Sequence, residues 1–335
     1  MERSNLKQTY IGLADSTWNP IRGCKHAGDD CQNCWAERIA GRYAKKGQTY
    51  YGIAKLVKGE PKWTGKVAQT DKRYEPLEWT VVSGTKTRSV LVGTMTDLFY
   101  DKIPDAWRDE VFGIIALCGN FIFQVQTKYV DAMREYFAAP DVFERIEQNA
   151  REAYKRKYGR ENPSKGHLEG PLANTWLGVS VSDQETADAR IRTLQEIPAA
   201  LYYAAVEPML GPVTLKEYLT GRRPLKWVIA GGESGWEVRP MRPAWVRQLR
   251  DECIKAKRPF FFHQWGAWLP VTTDQLKNHA GPNSVAYIWP DGDMSVHLAK
   301  SNLRAMKEHG AEIDGKEWTD RPAWKNPVKS RSRKS

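Results

Sequence analysis

The sequence of 335 residues has few cysteines and no long apolar run, and each shortage excludes a class of protein. Five cysteines, an odd number, are too few for the disulfide-dense scaffolds of small secreted proteins. No apolar stretch approaches the length of about 20 residues that a membrane helix needs. Met1–Tyr10 lacks the apolar run of a signal peptide. We therefore expect a cytoplasmic protein with no membrane partner.

Charge is unevenly distributed along the chain, whose net charge is +11. Residues 324–335 carry positive charges and no acidic residue, which predicts a disordered basic tail. The rest of the chain is still basic, and the whole chain contains 14 tryptophans. Because basic residues attract phosphates and aromatic rings stack on bases, we expect DNA or a nucleotide as one candidate partner. Core packing explains the tryptophans equally well.

Short apolar, β-branched runs alternate with helix-like segments through the middle of the chain. The runs are Ser89–Thr96, Phe121–Gln126, Thr175–Val181, Leu201–Val206, Lys226–Ala230 and Pro259–Phe262. Apolar residues at helical spacing predict helices over Pro104–Cys118, Val130–Phe137, Gln184–Gln195 and Trp245–Ala256. This alternation is typical of a parallel sheet buried on both faces. We predict an α/β fold, a partial or full (βα)6-type barrel, although an open doubly wound sheet would give a similar pattern.

The same rhythm predicts how the chain is divided. The barrel covers residues 1–270 and contains a charged helical insertion over 142–172. A C-terminal extension or cap follows over 271–323, and the basic tail covers 324–335. Within the insertion, Phe143, Ile146, Ala150 and Tyr154 keep helical spacing, which predicts a helix there.

Polar residues follow the apolar runs, at the edge of the sheet where barrels collect their chemistry. They are Asp97, Lys128, Ser182, Glu207, Glu233 and His263. We expect a substrate at this ring. For each of them a structural role, such as a helix N-cap or a solvated lysine, is the alternative.

Three of the five cysteines, Cys24, Cys31 and Cys34, lie within eleven residues and have the spacing C-x6-C-x2-C. Thiolates are soft ligands that favour iron–sulfur clusters, zinc or copper(I). Three cysteines on a four-iron cluster leave one iron open, and an open metal position is typical of a catalytic site. Trp35 follows directly and is predicted to screen the cluster from water.

Zinc is the competing interpretation of the same residues. His26 lies between the first two cysteines and would complete a Cys3His site, and Cys118 or Cys253 would serve as a fourth thiolate. Zinc ligands usually come as two close pairs, which this spacing does not provide. Cys118 and Cys253 lie in apolar helical patterns, so core packing is expected for both.

The segments TWNPIRGC and CQNCWAERIA around the cysteines have counterparts in known sequences. Together with TDLFYDKIP, FQVQTK, WLGVSVSDQ, VEPMLGPV and WVIAGGESG, in this order, they cover roughly Thr17 to Gly266. In these segments the chain resembles a family of three-cysteine phage and prophage proteins of unknown function. That family is similar to radical S-adenosylmethionine (SAM) enzymes.

The resemblance implies a [4Fe–4S] cluster on Cys24, Cys31 and Cys34, with SAM on the open iron. One electron from a donor protein would cleave SAM to a 5′-deoxyadenosyl radical. Three features depart from the commonest radical SAM pattern. The first spacing is x6 rather than x3, Asn33 stands where an aromatic residue is usual, and Thr94–Asp97 replaces a Gly-Gly-Glu run after the second strand.

Site roles carry over to residues at the strand ends. We expect Asp97 to bind the SAM ammonium, because a carboxylate suits it. The other residues expected at the cofactor are Thr96, Gln126, Lys128, Ser180, Ser182 and Trp35. Glu207, Glu233 and His263 are expected to be catalytic. The predicted reaction modifies or repairs a nucleic-acid base in a phage context; the alternative is a non-catalytic, zinc-containing, nucleic-acid-binding accessory protein.

Overall fold

A computed structural model describes residues 12–79, 88–162, 167–235, 238–272, 286–290, 292–297 and 311–323. The strands are β1 (Ser16–Trp18), β2 (Ile21–Arg22), β3 (Ala54–Val57), β4 (Glu60–Trp63), β5 (Ala68–Gln69), β6 (Arg88–Val92), β7 (Phe121–Thr127), β8 (Thr175–Val181), β9 (Leu201–Val206), β10 (Leu225–Gly231), β11 (Phe260–Gln264), β12 (Trp268–Pro270), β13 (Ala286–Ile288), β14 (Met294–His297), β15 (Glu312–Ile313) and β16 (Lys316–Glu317). The α-helices are α1 (Trp35–Arg42), α2 (Asp105–Leu117), α3 (Val130–Ala138), α4 (Val142–Tyr158), α5 (Gln184–Glu196) and α6 (Pro243–Lys255). Short 3₁₀ helices cover Asp29–Cys31, Asp71–Glu78 and Lys216–Leu219.

Seven parallel strands form one sheet in the order β1-β6-β7-β8-β9-β10-β11, which is also their order along the chain. A doubly wound sheet reverses its strand order at a switch point, and this sheet does not. Its first and last strands do not pair within the described part of the chain, so the sheet is a curled half-barrel. The prediction of a partial α/β barrel is confirmed. The sequence pattern predicts only six of these strands. It does not predict β1, because a strand of three residues shows too little periodicity.

The two faces of the sheet are buried in different ways. The outer face packs on the helices: Phe123, Val179 and Val206 lie in one apolar cluster with Ile114 of α2 and Ile191 of α5. The inner face is filled by its own large side chains, from Ile122, Trp176, Tyr203, Trp227 and Phe261. These side chains fill the inner face, and the polar residues predicted for the site follow them at the carboxyl ends of the strands.

All four predicted barrel helices are present, and α2, α3, α5 and α6 begin and end within two residues of their predicted bounds. The predicted charged helix is α4, which packs on α2 and buries Ile146, Ala150 and Ala153. One crossover, from β9 to β10, contains only the 3₁₀ helix Lys216–Leu219.

Beyond the half-barrel, β12, β14 and β13 form a small antiparallel sheet. The domain boundaries stay predictions, and the tail at 324–335 lies outside the described residues. No helix in the described part of the chain has both the length and the apolar character needed to cross a membrane.

The close approach of Tyr203 to Gly178 on the neighbouring strand gives a test of this packing. A Cβ atom at Gly178 would lie 2.3 Å from the Tyr203 ring, so Gly178→Ala must displace a buried side chain. We expect it to lower the free energy of unfolding by about 1–3 kcal/mol in urea titrations. Gly170→Ala, where a Cβ meets nothing within 4 Å, is the control and should be neutral. Equal stability of both variants would contradict the packing described here.

Candidate metal centre

Cys24, Cys31 and Cys34 line one cavity of about 220 Å³. The cavity wall also includes Trp63 of β4 and residues at the carboxyl ends of β6, β7 and β8. The structure therefore brings residues 23–34, which we call the cysteine loop, over the edge of the sheet where the strands end. In parallel α/β folds this edge is where ligands bind.

Hydrogen bonds from the loops that follow β6 and β7 hold the cysteine loop in place. The Thr96 hydroxyl donates to the Gly23 carbonyl at 2.6 Å, and the Gly23 amide donates to the Met95 carbonyl at 3.1 Å. The Tyr129 hydroxyl donates to the Lys25 carbonyl at 3.1 Å. Thr96 thus positions the loop, whereas its predicted cofactor contact stays a prediction.

A buried charge cluster lies beside Cys31. Lys128 Nζ and Arg190 Nη1 each lie 3.0 Å from Asp30 Oδ2, and Lys128 Nζ also lies 3.4 Å from Cys31 Sγ. The Asp30 side chain is only 2% exposed. Burial raises the pKa of Asp30, but Lys128 and Arg190 outweigh burial and lower that pKa below its ordinary value. These buried charges therefore hold the Lys128 ammonium within hydrogen-bonding distance of the Cys31 sulfur.

Asp97 is already used by its neighbours. Its carboxylate accepts hydrogen bonds from the Thr127 hydroxyl at 2.6 Å, the Lys128 amide at 2.8 Å and the Phe99 amide at 3.0 Å. Burial raises the pKa of Asp97 in spite of these bonds. Asp97 lines the cavity, but it also joins the ends of β6 and β7. Its predicted contact with the SAM ammonium stays a prediction.

The three thiols line one cavity wall, an arrangement that is compatible with a cluster. In the described residues, no three His, Cys, Asp or Glu side chains converge as a ready site for one metal ion. His26 Nε2 instead contacts Glu37 Oε2 at 2.9 Å. A four-iron cluster binds each thiolate through a different iron, so its ligands line a cavity instead of converging on one point. The Cys3His arrangement expected for zinc is not formed among these residues.

The cysteines are poor ligands until they lose their protons. Burial raises the pKa of Cys24 to about 12 and also raises the pKa of Cys34. A metal binds the thiolate, so binding at this cavity must release protons.

Two further predicted cofactor residues, Gln126 and Ser180, also line the cavity. The Ser180 hydroxyl donates to the Glu207 carbonyl at 3.1 Å. The Gln126 side chain makes no hydrogen bond to any described residue, so its amide is available to a ligand. Lys128, another predicted cofactor residue, lines the same cavity.

Two other predicted cofactor residues do not line the cavity. Trp35 is 49% exposed at the start of α1, and the wall is lined by Trp63; the predicted screening of the cluster by Trp35 stays a prediction. The Ser182 hydroxyl donates to Asp183, the residue that caps α5 with a capping box. The N-cap of α5 is Asp183, so Ser182 supports the cap, and its predicted cofactor contact stays a prediction.

Glu207 and His263 form a pair on the inner face of the sheet. His263 Nδ1 lies 2.6 Å from Glu207 Oε1, and both side chains are about four-fifths buried. His263 belongs to β11, one residue beyond the predicted end of that strand. Neither residue lines the cysteine cavity. The pair adjoins it through Ser180, and its catalytic role stays a prediction.

Glu233 joins the end of β10 to the cysteine loop. Asn33 Nδ2 donates to Glu233 Oε2 at 3.0 Å, the Arg239 amide donates to the same oxygen at 2.8 Å, and the Arg239 guanidinium pairs with the carboxylate. Burial raises the pKa of Glu233, but these partners outweigh it and lower the pKa. Glu233 does not line the cavity. These contacts give it a positioning role, and its predicted catalytic role stays a prediction.

Several residues of the site had no clear signal in the sequence. Asp30 precedes Cys31 directly, which is the one local hint. Arg190 and Trp63 come from distant elements, and nothing near them in the chain points to a cysteine loop. Long-range packing alone brings these residues to the site.

Comparison with known proteins gives a family for this chain. The model of a family described as "Protein of unknown function (DUF5131)" matches residues 8–322, and the chain belongs to this family. That description says nothing about phages, so the phage context stays a prediction. No curated protein matches the sequence.

Two solved structures, both of mutants of spore photoproduct lyase, are similar to this chain. Their TM-score is 0.39, with 11% and 10% sequence identity, and the match covers 90% of this chain and 74% of each of theirs. We therefore base the function on the residues of the site.

Replacing Glu233 tests its role in attaching the loop. Glu233→Gln removes the partner of Arg239, so we expect the free energy of unfolding at pH 7 to fall by about 2 kcal/mol. Because the folded-state pKa of Glu233 is lowered, this loss should be complete above pH 4.5, the ordinary pKa of a glutamate, and disappear as the pH falls through the lowered folded-state value. Urea titrations between pH 7 and pH 3 measure both effects.

Glu217→Gln provides the matched control. Glu217 pairs with Arg192 at 3.3 Å, but both side chains are more than 60% exposed. Exposed pairs contribute little, so no more than a few tenths of a kcal/mol should be lost. A loss at Glu233 as small as that at Glu217 would show that the Glu233 contacts do not hold the loop.

Proposed function

We propose that this protein is an enzyme of the radical SAM type. One observation carries the proposal: three cysteines line one cavity over the carboxyl ends of a singly wound parallel sheet. Thiolates favour iron–sulfur clusters, and barrel enzymes place their chemistry at this edge. The family-level resemblance of the sequence supports the same function.

In this proposal Cys24, Cys31 and Cys34 hold a [4Fe–4S] cluster, and SAM occupies the remaining cavity. When bound, the cluster and SAM supply a 5′-deoxyadenosyl radical. Lys128 places its ammonium against Cys31 Sγ, and Asp97 keeps the Lys128 backbone in position. Gln126 and Ser180 offer amide and hydroxyl groups to SAM at the wall.

The Glu207–His263 pair would serve the substrate. A carboxylate on Nδ1 orients the imidazole ring, and an imidazole is the side chain that exchanges a proton most readily near neutral pH. Glu207 follows β9 next to Ser180 of the cavity wall, and His263 contacts Glu207 from β11 on the inner face of the sheet.

We propose a nucleic-acid base as the substrate. The net charge of +11 supports a polyanionic partner. A base must leave its stack to reach a cavity at the end of a half-barrel, so the substrate would be a flipped or unpaired nucleotide. Cleavage of SAM also requires an electron donor protein.

Iron analysis after anaerobic purification tests the cluster. The wild-type protein should be brown and contain about four irons per chain, and Cys34→Ala should lose both properties. Cys253→Ala is the control: Cys253 is fully buried in α6 among core residues, so this variant should keep its iron and lose only stability. A brown protein should also form 5′-deoxyadenosine from SAM under reducing conditions.

The zinc interpretation predicts a different result. A colourless wild-type protein with about one zinc per chain would contradict the radical SAM proposal. It would support a zinc-containing binding protein instead.

Lys128→Met tests the contact with Cys31. Removing a buried positive charge and an N–H···S bond makes reduction of the cluster harder, so the reduction potential should become more negative while iron content is retained. Lys25→Met is the control. Lys25 also lines the cavity, but its side chain is exposed and solvent screens its charge, so a smaller shift is expected. Equal shifts in a redox titration would contradict a specific role for Lys128.

A further inference from the structure

Residues 35–66, which we call the platform, form a small unit beside the cavity that contains α1, β3 and β4. Its inner side is tightly anchored. Glu37 is buried, its Oε1 accepts a hydrogen bond from the Trp63 amide at 2.6 Å, and its Oε2 contacts His26 in the cysteine loop. Helix α1 packs so closely on β4 that a Cβ at Gly41 would lie 2.4 Å from Pro61.

The platform is also continuous with the cavity wall. Ala40 and Ala54 form a separate apolar cluster with Met95, which follows β6 in the wall. Ala36 and Trp63 themselves line the cavity. A molecule bound to the outside of the platform would therefore lie next to the cavity.

Three aromatic side chains of the platform are exposed to solvent. Trp35 is 49% exposed, Tyr43 51% and Tyr51 59%, which is far more than core packing leaves open. Strand β3 adds Leu56 at 55% and Val57 at 42% exposure. An apolar surface of this kind next to a candidate active site is typical of a binding surface.

Along the chain, exposed basic residues are interspersed with these apolar groups. The exposed basic residues of the platform are Arg42, Lys45, Lys46, Lys55, Lys58 and Lys66. None of these six side chains forms a salt bridge with a residue that the structure describes. The platform contains two acidic residues, of which Glu37 is buried and Glu60 lies 3.6 Å from Lys62. The surface is thus basic without internal neutralisation.

We propose that the platform binds a single nucleic-acid strand and delivers an unpaired base to the adjacent cavity. Lysines and Arg42 contact the phosphates, and the exposed rings of Trp35, Tyr43 and Tyr51 stack on the bases. Interleaved basic and aromatic side chains are how proteins bind single strands without reading their sequence. The inference deepens the proposed function, since it names the partner of that cavity, but binding itself needs no cluster.

The positive charges of the platform complement a phosphate backbone, which favours a nucleic-acid strand as the partner. A folded protein partner would need acidic patches matching six scattered cations, whereas a phosphate backbone supplies regularly spaced anions. Stacking requires exposed base faces, which a duplex conceals, so the platform selects a single strand over a duplex.

Fluorescence anisotropy with labelled oligo(dT) and oligo(U) of about 20 nucleotides tests the charges. In Lys45→Gln/Lys46→Gln/Lys55→Gln, we expect weaker binding and a slope of log Kd against log salt reduced by about 2, since each phosphate contact contributes about 0.7. The control is Arg222→Gln/Lys226→Gln/Lys255→Gln, which removes three exposed charges near the amino ends of the strands. The control should bind like the wild type.

Tyr43→Ser/Tyr51→Ser tests the stacking. We expect affinity to fall about tenfold or more while the salt slope stays unchanged, because bases lose their stacking partners and phosphates do not. The basic tail is present in every variant, so any binding by the tail is common to all of them. The oligo(dT) and oligo(U) arms distinguish a DNA strand from an RNA strand.

Three results would overturn the inference: platform variants that bind like the control, a wild type that prefers duplex DNA of the same length, or no binding at low salt. Iron content, measured on the same samples, separates this inference from the proposed function. Binding without iron would contradict only the cluster, and iron without platform binding would contradict only the inference.

Discussion

The site depends on one buried carboxylate. Asp30 precedes Cys31 and lies between Lys128, which follows β7, and Arg190 of α5. A buried carboxylate is stable only with such partners, and here both partners belong to the sheet layer and the helix packed on it. Because Asp30 must stay between them, the cysteine loop must stay at the carboxyl edge of the sheet. The same geometry sets the ammonium of Lys128 on Cys31 Sγ.

A second ion pair, between the buried Glu233 and the partly exposed Arg239, also holds the loop. Both residues follow β10, and the Asn33 side chain, next to Cys34, donates a hydrogen bond to the Glu233 carboxylate. These contacts fix the loop at two places on the half-barrel, after β7 and after β10. Rigid supports of this kind are what a site needs if its ligands are to stay in position while a cofactor and a substrate bind.

Much of the fold could be predicted because its signals are local. The apolar runs between Ser89 and Phe262 predict strands, because parallel strands are buried on both faces and are therefore apolar throughout. The short strand β1 carries no such signal, and the sequence could not tell a half-barrel from an open doubly wound sheet. The order of the strands in space decides that question. Within the site, the cysteine spacing indicates a shared ligand, but nothing in the sequence near Trp63 indicates that this residue lines the cavity.

The sequence by itself determined the α/β alternation, the three clustered thiols and the basic balance, because composition and spacing express them directly. Tertiary structure alone decided which polar residues share the cavity. Gln126, Lys128 and Ser180 line it. Glu233 instead accepts a hydrogen bond from Asn33 of the cysteine loop, and the Ser182 hydroxyl donates to Asp183, which caps α5. The physical reason is that a strand end specifies only an edge of the sheet. Which side chains on that edge face a ligand depends on contacts from loops far away in the chain.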